Sequence, residues 1–145
     1  MALQKEILPV EVIPFDGDAC HLFIKARAEN RVVRLLLDTG ASKTLLSEEF
    51  VKKTLAQHRR SRNMIPSTGL GSNQIESEWM VLSKLSFGKL VIRSFTCAVL
   101  NLQHVNDTYT GAGLRPIQGV LGSDLLLRYR AVLDYDKKVL VLKGA

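Results

Sequence analysis

An apolar strand that ends in an acidic turn constrains the fold of this chain more than any other feature of its sequence. Leu35-Leu36-Leu37 runs directly into Asp38-Thr39-Gly40-Ala41-Ser42. Three consecutive aliphatic residues are typical of a strand that is buried on both faces, whereas Asp and Gly favour a tight turn. The pattern therefore predicts a central strand that delivers one carboxylate, that of Asp38, to a fixed place. This acidic signature occurs once in the chain.

Strand patterns dominate the rest of the sequence. Runs of apolar residues with interspersed polar ones, separated by turn residues, predict strands at 20–28, 31–37, 78–87, 90–100, 119–122, 131–135 and 139–142. Short helices are predicted after Ser47, which can cap one, and from Ser123 through Tyr129. The polar segment Gln103 to Gln118 is predicted to be a long surface loop. The sum is a mostly β barrel or sandwich with one or two short helices.

The length of 145 residues predicts a single domain, 1–145, in which residues 1–20 are an N-terminal extension or an added strand. No apolar run approaches the roughly 20 residues of a membrane helix, so no membrane segment is expected. The first residues lack the apolar core of a secretory signal. We therefore expect a cytoplasmic chain unless a leader was trimmed.

Metal, cofactor and nucleic-acid sites find little support in the sequence. Cys20 and Cys97 lie in predicted strands and are expected to be free thiols, and no group of His and Cys residues has zinc spacing. The net charge of +6 includes one compact basic run, His58-Arg59-Arg60-Ser61-Arg62. No aromatic residue interrupts this run, so nucleic-acid binding is unlikely and a solvated loop after a helix is expected. We expect neither a metal nor a cofactor.

Two motifs together resemble the retropepsin-like aspartic proteases, the single-lobe relatives of pepsin. The first is Leu37-Asp38-Thr39-Gly40-Ala41-Ser42, and the second is Val120-Leu121-Gly122-Ser123-Asp124-Leu125-Leu126. A Gly-rich segment lies some 30 residues after the acid, where the family has its flap. The resemblance covers the order of elements from about Leu22 to Leu142. It implies a retropepsin-like acid protease β-barrel.

The resemblance also implies the chemistry. Aspartic proteases hold two carboxylates against one water, and the pair shares a proton because two like charges so close cannot both ionise. This chain has one acid signature, so the family pattern implies a homodimer with Asp38 of both copies at the axis. The implied activity is aspartic endopeptidase hydrolysis of a peptide or protein substrate.

Other residues take roles by the same resemblance. Thr39, Gly40, Ala41, Ser42 and Gly122 would support the active-site loop: Thr39 by bonding across the axis, and Gly122 by packing where a side chain would collide. Segment 67–73 would form the flap. The residues implied to contact substrate are Thr68, Gly69, Leu70, Gly71, Ile75, Val120 and Leu121.

Three positions depart from the family pattern. Viral members usually have Asp where this chain has Ser42 and Arg where it has Ser123, and those two form an ion pair near the dimer interface. Replacing both leaves no unpaired charge and implies that other contacts hold the dimer. Ala41 stands where pepsin-like chains often have a hydroxyl residue. Without that hydroxyl the ionised dyad is less stabilised, which predicts activity nearer neutral pH.

Two alternatives stay open. The apolar strand Val139-Leu140-Val141-Leu142 could join an intersubunit sheet, as the termini of viral members do, or be an ordinary core strand of one subunit. The chain could also be a catalytically weak retropepsin-like module that binds peptides or acts as a scaffold. The absence of Tyr from the flap and the replaced ion pair leave room for this second function.

Overall fold

The computed structural model describes residues 4–56, 60–66 and 74–144, with side chains described for 4–56 and 78–144. This part of the chain forms eleven strands and three short helices. In chain order they are β1 (Lys5–Pro9), β2 (Glu11–Pro14), β3 (Cys20–Ala28), β4 (Arg31–Leu37), β5 (Leu45–Ser47), α1 (Glu48–Thr54), β6 (Arg60–Pro66), β7 (Gln74–Phe87), β8 (Leu90–Leu100), α2 (Gln103–Gly111), β9 (Gly119–Leu121), α3 (Ser123–Arg128), β10 (Val132–Asp134) and β11 (Val139–Lys143). None of the described helices combines the length and apolar character needed to cross a bilayer.

Six strands close into a barrel, as predicted. Eight strands form one sheet in the order β2-β3-β4-β9-β5-β8-β7-β6, and β3 also pairs with β7. That extra pairing, Arg27 with Ser86 and Ala28 with Leu85, joins the two sides of the sheet. The closed ring is therefore β3-β4-β9-β5-β8-β7, with β2 and β6 attached outside it. Closure leaves no exposed edge within the ring.

The hairpin of β3 and β4 brings the acid to the barrel. Glu29 and Asn30 both have positive φ, 50° and 69°, which matches the twist of a two-residue hairpin turn. On β4, Val33, Leu35 and Leu37 point into the main core, as alternation along a strand requires. β4 lies between β3 and β9 and is thus the central strand that its apolar run predicts.

The strands separate two apolar cores. The main core fills the barrel and includes Leu35, Phe87 and Leu121. A second core lies on the other face of β4 and β9 and consists of seven buried residues: Phe23, Leu45, Ala98, Leu102, Tyr109, Ile117 and Val120. Both faces of β4 are therefore covered, and the loop after it is held from two sides.

The first helix follows its sequence signals. Ser47 caps α1 by accepting a hydrogen bond at Oγ from the Phe50 N–H at 3.0 Å. Val51 and Leu55 are fully buried, and Phe50 packs against the same core. The prediction of a short helix capped by Ser47 is confirmed.

The prediction of a loop from Gln103 to Gln118 is wrong in its first half, where α2 forms. The helix has weak sequence signals because it buries only Tyr109 and its N-cap residue, Leu102, makes no side-chain cap bond. Asn101 supplies the cap instead, accepting the Gln103 N–H at Oδ1 at 2.9 Å. The molecule therefore has three short helices in its described part, and not one or two.

Two further boundaries differ from the predictions. Arg60, Ser61 and Arg62, predicted to lie in a solvated loop, pair with β7 as part of β6. The strand predicted to begin at Glu78 begins at Gln74. Pairing between the two strands overrides the polar composition of both segments.

Both ends of the described chain are tied into sheets. β1 pairs with β11, and β2 extends the large sheet by pairing with β3. β11 is the middle strand of a three-stranded sheet, β1-β11-β10, and its Leu140 and Leu142 are buried in the main core. Both edges of this strand are thus paired within one chain, which favours the ordinary core strand over the intersubunit strand.

Candidate active site

Backbone hydrogen bonds fix Asp38 at the end of β4. The Asp38 N–H donates to the Leu121 carbonyl of β9 at 3.1 Å, and the Asp38 carbonyl accepts from Ala41 N–H at 3.1 Å. The Gly40 N–H donates to Oδ1 of the Asp38 carboxylate at 2.9 Å. These three contacts define a tight turn that orients the carboxylate outward, where it is half-buried and reachable.

Gly40 and Gly122 both allow close approach around this turn. A Cβ at Gly40 would lie 3.3 Å from Oδ1 of Asp38. A Cβ at Gly122 would lie 2.8 Å from the Ala41 carbonyl oxygen and 2.7 Å from the carbonyl carbon of Lys43. The second position has no room for a side chain because its neighbours are backbone atoms.

The segment from β9 to α3 closes behind the acid loop. The Ser123 N–H donates to the Ala41 carbonyl at 2.7 Å. Ser42 is exposed and Ser123 is half-buried. The two serines thus stand where the family pattern has an ion pair, and at Ser123 a main-chain contact joins the same two segments.

A hydrogen-bonded pair, the buried Thr44 and the half-buried Asp124, also joins the two segments. The Asp124 carboxylate accepts the Thr44 N–H at 3.0 Å, the Thr44 hydroxyl at 2.7 Å and the Leu125 N–H at 2.8 Å. Thr44 Oγ1 in turn accepts the Gly122 N–H at 3.0 Å. The carboxylate also offsets the unpaired N–H groups at the start of α3.

Sequence reasoning did not single out Thr44, and it gave Asp124 no role beyond opening a helix. The available signal was the pair of short motifs itself. Thr44 lies two residues after the end of the first motif and Asp124 lies within the second, in two segments that the resemblance already brought together.

The two apolar residues before Gly122 face opposite cores. Val120 is 8% exposed and belongs to the second core, next to partly buried Leu36 and Ala41. Leu121 is 1% exposed and belongs to the main core. Of these two sequence-predicted contacts, only Val120 is therefore on the side of β9 that borders Ala41.

An aromatic cluster on the second core is a part of the site that sequence analysis missed. The Tyr109 hydroxyl lies 2.7 Å from Nδ1 of His21, and Phe15 stacks on the His21 ring with centroids 4.6 Å apart. Burial raises the pKa of Tyr109, the Arg34 charge lowers it, and the Asp38 charge raises it again. Tyr109 thus lies within the electrostatic reach of both Arg34 and Asp38, although α2 was expected to be loop.

Most of the predicted flap lies outside the described residues. β6 and β7 form an antiparallel pair that ends at Pro66 and Gln74, so segment 67–73 connects the two strands. Thr68, Gly69, Leu70 and Gly71 fall in that segment. Ile75 lies on β7, paired with Ile65, and its side chain is outside the described part.

No metal centre is formed by the described side chains. Among them, no group of three or more His, Cys, Asp or Glu residues is arranged to hold an ion. The two thiols are free, with Cys97 buried and Cys20 partly exposed.

The family model described as aspartyl protease matches residues 24–125, which include the whole first motif and the second motif as far as Leu125. A search of curated protein sequences found no match.

Several solved structures share the fold. A retropepsin-like aspartic protease from Rickettsia conorii is 21% identical with a TM-score of 0.56, covering 99% of this chain and 93% of the other. The retroviral protease-like domain of Ddi1 from Leishmania major is 13% identical with a TM-score of 0.56, covering 84% and 87%. EIAV protease, solved with the inhibitor HBY-793, is 16% identical with a TM-score of 0.54, covering 84% and 99%. At these identities the likeness shows a shared retropepsin-like fold.

Proposed function

The chain belongs to the aspartyl protease family, and on that premise we propose that it is an aspartic endopeptidase whose water is activated between the Asp38 carboxylates of two copies. The observation that carries this proposal is the fixed position of Asp38. Its backbone is bonded to β9, its carboxylate to the Gly40 N–H, and its side chain is left half-buried. A carboxylate that only closed a turn would not need this support from a second motif.

The proposed chemistry needs two carboxylates in opposite protonation states. The ionised carboxylate takes a proton from the water as the water oxygen attacks the scissile carbonyl carbon. The protonated carboxyl donates its proton to the carbonyl oxygen. The resulting tetrahedral diol then collapses, breaking the C–N bond, and the leaving amine takes a proton from the dyad. No cofactor enters these steps.

The second carboxylate has to come from a second copy, because the sequence has one acid signature. The exposed position of Thr39, directly after Asp38, suits contact with the partner's loop. The small sheet also offers a surface: within the described chain β1 and β10 each have one paired neighbour, and Ile7 and Val132 on them are exposed. Unpaired edges and exposed apolar residues favour association.

The remaining site residues have supporting and binding roles in this proposal. Gly40, Ala41 and Gly122 hold the loop, with Ser42 beside them on the surface. Val120 and the partly buried Leu36 and Ala41 form an apolar wall next to the acid. The 67–73 segment with Ile75 is proposed to cover the bound peptide and exclude water.

The test is cleavage of a mixed peptide library by wild type, Asp38→Asn and the control Asp136→Asn, across about pH 3 to 8, a range that spans the expected dyad pKa values. Asp136 is an exposed turn residue, so its variant matches the charge change alone. We expect cleavage by wild type and by the control, and none by Asp38→Asn. Equal cleavage by all three would overturn the role of Asp38. Peptide binding without any cleavage would favour the binding or scaffolding module.

A further inference from the structure

An open cavity of about 540 Å³ lies on the outer face of β3 and β4. Its lining combines apolar surface with four charged side chains, three of them cationic. The charged residues are Lys25, Arg34, Arg115 and Glu11, and the apolar ones include Phe23 and Val32. The cavity does not include Asp38, and the proposed chemistry does not use it.

Arg34, at the base of this cavity, has a buried donor that no other described residue accepts. Its side chain is 12% exposed, and its guanidinium carbon lies 3.9 Å above the centre of the Phe23 ring. Nη1 donates to the Glu11 carboxylate, whereas the buried Nε–H has no hydrogen-bond partner within the described part of the chain. A buried polar group left unpaired is costly, so this position favours a ligand that brings an acceptor.

The other charges around Arg34 are only partly neutralised. Arg115 is 65% exposed and reaches Glu11 only through long contacts of 3.4 and 3.5 Å. Lys25 is exposed and lies directly opposite Arg34 in the β3–β4 register, which places both side chains on one face. Glu11 stays ionised, since its hydrogen bond to Arg34 lowers its pKa. Among the described residues that line the cavity, one carboxylate therefore accompanies three cations.

A hydrogen-bonded loop holds Arg115 over the cavity. Gln118 Oε1 accepts the Arg34 N–H at 2.7 Å, and the Gln118 N–H donates to the Arg34 carbonyl at 2.9 Å. These paired bonds fix the loop after α2 against β4. Arg34 on β4 and Arg115 in the loop after α2 are therefore held in fixed relative positions.

The cavity and the acid lie on the same side of β4. Side chains alternate along a strand, so Arg34 and Leu36 share one face of β4. Asp38 directly follows the strand and continues the same alternation, because its N–H is still bonded to Leu121 of β9. At about 3.3 Å per residue, Arg34 and Asp38 are roughly 13 Å apart along the chain. A peptide in extended conformation covers that distance in about four residues.

From this arrangement we propose that the cavity binds a carboxylate side chain of the peptide substrate, about four residues from the scissile bond. Arg34, Arg115 and Lys25 are the binding residues. Planar guanidinium groups are suited to carboxylates, and the Arg34–Glu11 pair already shows one carboxylate accepted at this guanidinium. The proposal rests on the proposed peptidase function, because it assumes that an extended peptide crosses Asp38.

The test measures peptide binding without cleavage. Asp38→Asn protein is titrated with fluorescent decapeptides that contain a central Leu-Phe pair and one Glu, moved through every other position, each compared with the matching Gln peptide. We expect Glu to tighten binding about ten-fold, the effect of one charge-assisted hydrogen bond, only at positions about four residues from the central pair. The gain should shrink to about two-fold in Arg115→Gln and Lys25→Gln proteins and persist in Lys137→Gln, an exposed cation outside the cavity lining.

Each outcome separates this proposal from the peptidase proposal. Equal binding of Glu and Gln peptides, an equal gain at all positions, or no binding of any peptide would overturn the carboxylate site. A gain that survives both cavity variants would overturn it as well. A position-specific gain in Asp38→Asn protein supports the site even if wild type cleaves none of these peptides, and that lack of cleavage would count against the endopeptidase alone.

Discussion

At the residue scale, Gly122 shows how closely the two motifs are packed. A Cβ added at this position would lie within 3 Å of backbone atoms of Ala41 and Lys43. Since backbone cannot rotate away as a side chain can, any substitution has to push the acid loop outward. The glycine therefore matters for the position of Asp38 as well as for folding.

We predict that Gly122→Ala lowers the free energy of unfolding by about 1–3 kcal/mol, the typical cost of overpacking with backbone shifts, and removes peptide cleavage. Gly111→Ala is the matched control, because its added Cβ would meet nothing within 4 Å; at the end of α2 it should change stability by less than about 1 kcal/mol. Urea denaturation followed by circular dichroism measures both. A Gly122→Ala protein as stable as the control would contradict the close packing of Gly122 against the backbone of Ala41 and Lys43.

The two thiols should differ in reactivity. Burial, with a smaller effect of the Asp124 charge, raises the pKa of Cys97 from 9.0 to about 12, so its reactive thiolate is scarce near neutral pH. Cys20 is partly exposed. In native protein at pH 8, we predict that DTNB modifies Cys20 rapidly and Cys97 only after denaturant is added. Cys20→Ser protein should then show almost no fast reaction.

The raised pKa of Cys97 also makes the stability of the protein depend on pH in the alkaline range. A group whose pKa is higher in the folded state favours folding fully below its unfolded value, near pH 9, and loses that contribution as pH rises toward about 12. Wild type should therefore lose stability over this alkaline window more steeply than Cys97→Ala. Parallel loss in both proteins would contradict the burial of this thiol.

At the element scale, the half-buried Asp124 and the buried Thr44 form the side-chain contact between the acid loop and α3. Asp124 accepts three donors, two of them from Thr44, and Thr44 is almost completely buried. Removing one partner leaves buried donors unpaired, which costs more than the bond itself contributes.

We predict that Thr44→Val destabilises the protein by about 1–3 kcal/mol and that cleavage falls with it, since Asp38 precedes the same loop. Thr54→Val is the control: its hydroxyl also donates, to the Phe50 carbonyl, but at an exposed helix end, where the loss should stay below about 0.5 kcal/mol. Thermal unfolding and cleavage assays are compared for the two variants. A similarly small change in both variants would contradict the structural role of the Thr44–Asp124 pair.

The sequence predicted most of the elements where local patterns and pairing agree. The β3–β4 hairpin was predicted at its observed bounds, because alternation, an Asn-containing turn and an apolar run all indicate the same structure. The start of α1 was predicted as well, because the helix has a capping serine and two acidic residues in its first turn.

The elements that were missed depend on distant partners. α2 has one buried side chain, and the cap comes from Asn101 outside the helix. β6 is polar and is held by its pairing with β7. The second core, with His21 and Tyr109 88 positions apart in sequence, and the cavity at Arg34 depend on contacts that periodicity does not encode. The sequence therefore indicated the acid and its supporting glycines. The helix, the strand, the second core and the cavity around them could be identified only from the three-dimensional structure.

At the scale of the whole molecule, one chain provides a closed barrel with one Asp-Thr-Gly acid turn. The barrel ring and both described apolar cores form within one copy, so we expect that folding does not require a partner. The proposed chemistry does, since it needs a second carboxylate. Activity and folding should therefore depend differently on protein concentration.

The replaced ion pair is consistent with an association that differs from the viral pattern. Ser42 and Ser123 offer no charges to a partner, and β11, the strand that could have joined an intersubunit sheet, is paired on both edges within the chain. The surfaces left for a second copy include the acid loop at Thr39 and the exposed apolar residues of the small sheet.

The central claim, that Asp38 works only beside a second Asp38, is tested most directly by mixing wild type with Asp38→Asn at constant total concentration and measuring peptide cleavage after the subunits exchange. If each active site needs two intact copies, activity follows the square of the wild-type fraction, so an equal mixture retains about one quarter of the activity. An equal mixture that retains about half, in proportion to the wild-type chains present, would show that a single Asp38 is sufficient and would contradict the account.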